Sequence, residues 1–499
     1  MKIKQLFSFL IVPLIILGIL LFADFVPGNP KVTYTFCVAL LMATWWITEI
    51  VPLAITSLLP VALFPLFGIM DASDVSATYF NDVIFLFMGG FLVALAMERW
   101  NLHKRIALKI LCMTGVSPAR ILLGFMISSF FLSMWISNTA TAMMMLPIVL
   151  SLITQLDGLM GTKNTSAFSI ALLLSVAYGA SIGGIATLVG TPPNLSFVRI
   201  FAIYFPEAPE MSFSMWLLFA FPLALIIGAV TWVYLYSRFK PGKGQWKEID
   251  RNIFHIQLKN MGVTSFEEKA VLTVFVILAI LWLFRVDLNF GLIRIPGWAS
   301  LFPESKLIND GTVAIFMAIL LFLLPSRKEK GKKILDWATA SKLPWNILLL
   351  FGGGFALATG FKVSGLSQWF GEQLAGVASF HPIVIILVIC LVITFLTELT
   401  SNTATTEMVL PILAGMAITT GINPLLLMIP ATLSASMAFM LPVATPPNAI
   451  VFGSNRITVR QMAMTGLVLN LICAVIITLM MYFWGDVIFD ANSAPVWMK

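Results

Sequence analysis

The sequence predicts an all-α polytopic membrane protein made of two related halves that enter the membrane in opposite directions. The chain has 499 residues, of which 59% are hydrophobic and 11% are charged, whereas soluble domains carry roughly 25% charged residues. Apolar runs of about 20 residues, the length that a helix needs to cross a bilayer, occur from end to end. These runs do not alternate between apolar and polar residues, as spanning strands do, and several short motifs occur twice.

The loop charges predict the orientation of the chain. The net charge of +7 does not indicate a nucleic-acid partner, because Lys and Arg cluster in short loops, as the positive-inside rule requires. Loop 71–82 has three Asp and no basic residue, whereas 99–120 has five Lys or Arg. We therefore expect an integral protein of the bacterial inner membrane, in contact with lipid, with a cytoplasmic N-terminus and an external C-terminus.

Hydropathy predicts about eleven transmembrane helices and two re-entrant hairpins. Each hairpin is a long apolar segment with a polar triplet in its middle, which leaves arms at the short limit for crossing a bilayer. The predicted domains are an N-terminal transmembrane helix at 1–30, a first inverted repeat at 31–240 (hairpin 119–155, broken helix 168–203, interrupted at 190–194), a cytoplasmic connector at 241–264, a second inverted repeat at 265–485 (hairpin 382–420, broken helix 424–453, interrupted at 444–448) and an external tail at 486–499.

The repeat is visible as four short blocks that recur in the same order. Ser137–Thr141 returns as Ser401–Thr405, an offset of 264 (401 − 137), and Gly-Gly-Phe and Leu-Pro-Ile blocks recur at the same offset. Thr191–Asn194 returns as Thr445–Asn448, an offset of 254 (445 − 191). Five predicted helices separate the corresponding elements, so the halves have inverted topology, an arrangement that places substrate near the membrane midplane at interrupted helices.

The repeated motifs have the chemistry of ion sites. At each hairpin tip one helix ends with free carbonyls and another begins with free N–H groups, and a helix start attracts anions. Carbonyls freed by the Pro-Pro breaks, with Ser and Asn oxygens, suit a small hard cation. Ser133 and Thr397 place a further hydroxyl one turn before each tip.

No Lys, Arg or His lies within these tips or breaks. Bound cations must therefore offset the charge of a dianionic substrate, which favours cation symport over anion exchange. Three acidic residues, Glu49, Glu398 and Glu407, lie in or beside apolar segments, where ionisable groups are functional candidates. Glu398 and Glu407 flank the second tip and are candidates for carrying protons.

With these residues assembled, the chain resembles the divalent anion–sodium symporter family, which includes the sodium-dicarboxylate cotransporters. The stretch Ser436–Ala444, continuing from Asn448 to Val451, is similar to the family's sodium:sulfate symporter signature, and the doubled Ser-Asn-Thr tips are typical of the family. The resemblance implies a homodimer in which each protomer moves a transport domain against a scaffold, an elevator-type transporter.

The resemblance also implies roles for individual residues. It implies Na⁺ at two or more sites, the first formed by Ser133, Ser137, Asn138 and Gly190 and the second by Thr397, Ser401, Asn402 and Ala444. It implies substrate contacts from Asn138, Thr139, Thr191, Asn402, Thr403, Thr445 and Pro446. Thr in third place of both tips suits C4-dicarboxylates such as succinate, malate or fumarate.

The predicted function is therefore sodium-coupled symport of C4-dicarboxylates, with no enzymatic activity. Three alternatives stay open: a sodium-independent dicarboxylate exchanger, a symporter for citrate or sulfate, and, most remotely, an intramembrane hydrolase. The hydrolase interpretation rests on Gly179–Gly183, which fits a Gly-X-Ser-X-Gly pattern but lies in a predicted membrane helix rather than at a strand–turn–helix junction.

Overall fold

The computed structural model describes residues 11–115, 117–241, 253–289 and 294–498. The described chain is mainly helical. The first part contains α1 Val12–Phe22, α2 Pro30–Thr48, α3 Leu53–Thr56, α4 Leu59–Leu66, α5 Ala72–Ala77, α6 Asp82–Arg99, α7 Leu102–Thr114, α8 Pro118–Ser133, α9 Asn138–Met160, α10 Thr162–Ile185, α11 Pro192–Tyr204 and α12 Phe213–Arg238.

The second part of the chain repeats much of this helix order and includes a short two-stranded ribbon. It contains α13 Ile253–Asn260, α14 Phe266–Leu283, α15 Asp310–Leu323, α16 Trp337–Ala340, α17 Trp345–Ser364, α18 Leu366–Gln373, α19 Pro382–Thr397, α20 Asn402–Thr420, α21 Pro424–Ala435, α22 Pro446–Phe452 and α23 Val459–Phe489. Two short strands, β1 Leu288–Asn289 and β2 Arg294–Ile295, pair antiparallel between α14 and α15, a feature that hydropathy did not predict.

The composition and surface of the helices are those of an integral membrane protein. Among the described residues, six helical segments are long and apolar enough to cross a membrane, and six shorter apolar helices accompany them. Large apolar side chains such as Leu14, Phe316 and Val392 are exposed on these helices, as expected of surfaces that face lipid. The predicted number of eleven spans stays a prediction.

The helix bounds repeat at the same offsets as the motifs. α8 and α19 each have 16 residues and begin at a proline, with an offset of 264 (382 − 118). α9 and α20 begin at Asn138 and Asn402, at that same offset, and α11 and α22 begin at Pro192 and Pro446, at the offset of 254 (446 − 192). Both predicted hairpins are thus helix–tip–helix units, and their entry from opposite faces stays a prediction.

Two enclosed helices lead to the interrupted segments. Every residue of α21 is buried, and α10 is buried over its whole apolar window. α10 packs against α8, α9 and α12, and α21 packs against α19, α20 and α23. Because a helix that is apolar on all sides belongs in the interior of a bundle, each half carries its break at the end of a central helix.

The second break differs from its prediction. The predicted interruption at 444–448 is longer in the structure, where α21 ends at Ala435 and α22 starts at Pro446. Pro442 lacks an N–H and disfavours helical geometry at the residue before it, and the Tyr178 hydroxyl in α10 donates to Phe439 O at 2.8 Å. The segment 436–445, the second break, therefore has its main chain held by tertiary hydrogen bonds. The first break also begins earlier than the predicted 190–194, since α10 ends at Ile185.

The basic stretch after α6 is not a loop. Leu102–Thr114 forms the amphipathic helix α7, and Arg105 is buried in an ion pair with Glu268 at 2.6 Å. Part of the predicted connector, 242–252, lies outside the described residues, and α13 follows it. The last long helix continues to Phe489, past the predicted start of the external tail.

Candidate functional site

Both hairpin tips and both breaks line one cavity of about 790 Å³. The lining includes exposed residues, among them Glu49, Asn346 and Val443, so the cavity opens to the surface of the molecule. All seven residues predicted to contact substrate line it, namely Asn138, Thr139, Thr191, Asn402, Thr403, Thr445 and Pro446. Their proximity agrees with the prediction of one site between the halves, and their binding roles stay predictions.

The first predicted cation site is a set of oxygens around two glycines. The Ser133 hydroxyl donates to Asn138 Oδ1, and Ser137 Oγ accepts from Ala140 N–H at 3.1 Å, which caps α9. A Cβ at Gly190 would lie 2.4 Å from Gly184 O and 3.0 Å from Ser133 O. These carbonyls thus converge where a side chain does not fit, the kind of unwound backbone that coordinates Na⁺ in transporters with broken helices.

The second predicted cation site has a matching geometry. The Thr397 hydroxyl donates to Asn402 Oδ1 at 2.8 Å, as Ser133 does to Asn138, and also contacts Ala435 O at 2.8 Å. Ser401 precedes α20 without forming a side-chain cap, and both Ser401 and Ala444 line the cavity. Of the eight predicted metal residues, Ser133 and Thr397 lie behind the tips and touch the Asn side chains, and the other six line the cavity.

Two asparagines that the sequence placed only within motifs hold the breaks. Asn194 Nδ2 donates to Thr187 O at 2.7 Å, and Asn448 Nδ2 donates to Leu441 O at 3.1 Å. The two carbonyls are related by the same offset, 254, as the asparagines themselves (441 − 187 and 448 − 194). Each amide thereby satisfies a carbonyl that the helix break has freed. This shared offset was the signal that could have singled them out.

Glu398 has a structural position that the sequence did not reveal. It is buried, and its carboxylate accepts hydrogen bonds from the N–H groups of Met440 (2.8 Å) and Leu441 (3.0 Å) and from Asn470 Nδ2 (2.8 Å). Glu398 therefore fastens the second tip to the second break, directly after Thr397 of the second predicted cation site.

The other two acidic candidates lie in different surroundings. Glu49 is exposed at the cavity mouth, directly after α2, in a left-handed backbone conformation (φ 48°). Glu407 does not line the cavity; it is fully buried in α20, and its Oε1 accepts from Ser196 Oγ at 3.0 Å. The structure therefore does not bring the three carboxyl groups together.

The electrostatics of the cavity favour an anion that arrives with cations. None of the described lining residues is Lys, Arg or His, and two of them, Glu49 and Glu398, are acidic. The helices α9, α11 and α20 begin at the cavity, and their partial positive charges favour carboxylate groups. The described residues contain no cluster of three or more His, Cys, Asp or Glu that could hold a metal ion, so the oxygen sets at the tips are the candidate cation ligands.

The hydrolase alternative finds no supporting geometry. Ser181 lies inside α10, and its buried hydroxyl has no hydrogen-bond partner among the described residues. His103 contacts Met97 O, and His381 caps α19 through Ile383 N–H. The nucleophile–base contact that activates a serine is thus not formed by these residues.

Comparisons with known proteins give consistent relatives. The family profile described as the sodium:sulfate symporter transmembrane region matches residues 2–490. The chain is 44% identical over 492 residues to the sodium-dependent dicarboxylate transporter SdcS of Staphylococcus saprophyticus, covering 97% of this chain and 92% of the relative. It is also 44% identical over 485 residues to SdcS of Staphylococcus aureus strain NCTC 8325, covering 96% and 91%.

Two solved structures share the fold at low sequence identity. The YdaH transporter of Alcanivorax borkumensis superposes with a TM-score of 0.54 at 13% identity, covering 83% of this chain and 87% of that one. MtrF of Neisseria gonorrhoeae gives 0.52 at 12% identity, covering 83% of each chain. The profile match over nearly the whole chain and the 44% identical relatives together show that this protein belongs to the sodium:sulfate symporter family, the divalent anion–sodium symporters.

Proposed function

We propose that the protein is a secondary active transporter that couples the movement of C4-dicarboxylates, such as succinate, malate or fumarate, to sodium. The observation that carries the proposal is the cavity lining: two Asn-Thr tips, the starts of α9, α11, α20 and α22, and no described basic side chain. A dianion in such a cavity needs cations for charge compensation. Relatives named as sodium-dependent dicarboxylate transporters support this choice of ion and substrate.

The proposal assigns the two oxygen sets to two sodium ions that are cargo of the cycle. Asn138 and Asn402 belong to both the cation and the substrate sets, because each Oδ1 accepts from the hydroxyl behind the tip while the residue lines the cavity. Sodium would thereby order the tips on which the substrate carboxylates bind. Binding of one cargo then favours binding of the other, which is reciprocal by linkage.

The proposal extends to the transport cycle and the assembly. We propose an elevator movement in a homodimer, in the bacterial inner membrane, with a cytoplasmic N-terminus and an external C-terminus. Light scattering of the purified protein in detergent tests the dimer, and a monomeric mass would contradict it.

The decisive experiment is uptake of labelled succinate into proteoliposomes with an inward sodium gradient. We expect saturable uptake that disappears when choline replaces sodium. Asn138→Ala and Asn402→Ala should each abolish it, and near-normal uptake by either variant would refute the site. Citrate and sulfate serve as competitors, which test the neighbouring substrate classes.

The second candidate is a dicarboxylate exchanger that works without sodium. It predicts strong counterflow of succinate against internal dicarboxylate and a flat sodium response. The described lining disfavours it, since an exchanger without cations would leave two substrate carboxylates beside Glu398 with no positive side chain.

A further inference from the structure

The buried carboxyl group of Glu407 is not part of the proposed sodium or substrate sites. Glu407 is fully buried in α20, about one and a half turns after the second tip, and it does not line the cavity. Its counterpart in the first half, at the offset of 264 (407 − 143), is Met143, whose side chain is exposed. The second half therefore carries an ionisable group that the repeated chemistry of the tips does not require.

The two oxygens of Glu407 have different surroundings. Oε1 accepts a hydrogen bond from Ser196 Oγ at 3.0 Å, which joins α20 of the second half to α11 of the first. Oε2 has no hydrogen-bond partner among the described residues. It rests against α17, where a Cβ added to Gly354 would lie 1.7 Å from it.

The described cations do not reach this carboxyl group. The titratable or charged groups on the elements packed around α20 are Lys31, Tyr34 and Cys37 on α2, Arg199 and Tyr204 on α11, Lys362 on α17, Glu372 on α18, Cys390 and Glu398 at α19, and Tyr79 after α5. Arg199 pairs with Asp82 at 3.6 Å, and Lys362 donates to Ile203 O. Tyr79 interacts with Glu407, but its hydroxyl donates to Ser57 O at 2.5 Å.

A carboxylate in these surroundings would be an unpaired buried charge. Transfer of an isolated ion into an apolar interior is so unfavourable that such a group neutralises instead. A neutral carboxylic acid keeps the hydrogen bond from Ser196 and leaves at most its own O–H group without an acceptor, which costs about 1–3 kcal/mol, far less than an unpaired buried charge. A sodium ion would require several oxygen ligands around Oε2, and the packing of Oε2 on Gly354 leaves one side of it blocked.

We propose that Glu407 is a proton-binding site, occupied in this conformation, at the contact of the second hairpin arm with α17 and α11. Loss of the proton leaves a charge against Gly354 and disfavours this packing. Alkaline pH should therefore destabilise the conformation described here. In the transport cycle, which rests on the proposed function, alkaline pH should slow dicarboxylate uptake through this residue.

Infrared spectroscopy of the purified protein tests protonation without any transport assay. At neutral pH the wild type should show the C=O stretching band of a buried protonated carboxyl group, and Glu407→Gln should lack it. Ser196→Ala should keep the band but shift it to higher frequency, because the hydrogen bond to Oε1 is lost. Glu372→Gln, which changes an exposed glutamate on α18, is the matched control and should keep the wild-type band.

Several infrared outcomes would overturn the proposal. A wild-type spectrum identical to that of Glu407→Gln would mean an ionised side chain. A Glu407 band that disappears on addition of sodium chloride, but not choline chloride, would mean that the site binds sodium. If Glu407→Gln does not fold, Ser196→Ala is compared with the wild type instead. A carboxyl band at the same frequency in both proteins would then overturn the proposal, because the band would not come from Glu407.

Uptake tests the effect on transport. Fumarate, which remains a dianion over this range, is supplied with a fixed sodium gradient at about pH 6.5 and about pH 9; a proton-linked step changes by up to ~10-fold per pH unit. Wild type and Glu372→Gln should lose uptake at least several-fold, and Glu407→Gln should stay flat. A wild-type pH profile in Glu407→Gln would overturn the proposal, whereas no sodium-driven uptake by the wild type at either pH would refute the proposed function and leave the infrared result standing.

Discussion

Gly190→Ala tests the first cation site by filling it while removing no proposed ligand. The new Cβ would lie 2.4 Å from Gly184 O, whereas ordinary contact begins at 3.4 Å, so the two backbone segments must separate by 1.0 Å (3.4 − 2.4). Overpacking of this kind costs about 1–3 kcal/mol, which corresponds to a roughly 5–150-fold loss of sodium affinity when the strain falls on the cation-bound geometry.

The assay is the sodium concentration that gives half-maximal succinate uptake, measured beside the melting temperature at increasing sodium. A ligand that binds the folded state raises the melting temperature, so the variant should show a weaker rise as well as a higher half-maximal sodium concentration. Gly158→Ala in α9, where no atom lies within 4 Å of the added Cβ, is the control. A half-maximal sodium concentration in Gly190→Ala within twofold of that in the control would refute the assignment of Gly184 and Gly190 to this site.

Three further predictions concern the second break and the β1–β2 ribbon. Glu398→Gln puts an NH2 group in place of one accepting oxygen, and so should lower the melting temperature and raise the half-maximal sodium concentration, since an intramolecular hydrogen bond contributes about 0.5–1.5 kcal/mol; unchanged values would mean that the Glu398 carboxyl group does not hold the break. Asn448→Ala should lower the unfolding free energy by about 1–3 kcal/mol by leaving buried carbonyls unpaired, and a denaturation midpoint equal to wild type would contradict this. The Gly297 N–H and the Arg294 guanidinium hold the pKa of Asp287 below its ordinary value, so its stabilisation of the ribbon is present above the ordinary Asp pKa and is lost as pH falls through the lowered one. The amide protection factors of the ribbon, which correct for the pH dependence of intrinsic exchange, should therefore fall with acid in wild type but not in Asp287→Asn.

Much of the site could be predicted because its residues repeat at a fixed spacing. The Ser-Asn-Thr tips recur at one offset with their neighbouring blocks, and the structure starts α9 and α20 at the Asn of each tip. Proline and small polar residues end helices through local backbone chemistry, which acts in the same way wherever the motif occurs. Local signals of this kind were therefore sufficient to place both tips and the helix starts at Pro192 and Pro446 that end the two breaks.

The parts that the sequence did not predict depend on contacts between distant segments. The second break begins at residue 436, where Glu398 and Tyr178, one from each half, bind its main chain. The helix α7 is short and amphipathic, so hydropathy marks it as a basic loop, and only its contact with α14 shows that Arg105 is buried. Likewise, the three acidic candidates look alike in sequence but lie in different surroundings. Glu49 is exposed, Glu398 accepts three hydrogen bonds and Glu407 is fully buried.

The central claim is that sodium and dicarboxylate share one site between the halves. The most direct measurement is the affinity of the purified protein for succinate, by isothermal titration calorimetry, as a function of sodium concentration with choline holding the ionic strength constant. Two sodium ions bound with the substrate predict that affinity rises steeply with sodium, approaching its square at low concentration. Succinate affinity that does not change between choline and sodium would contradict the account.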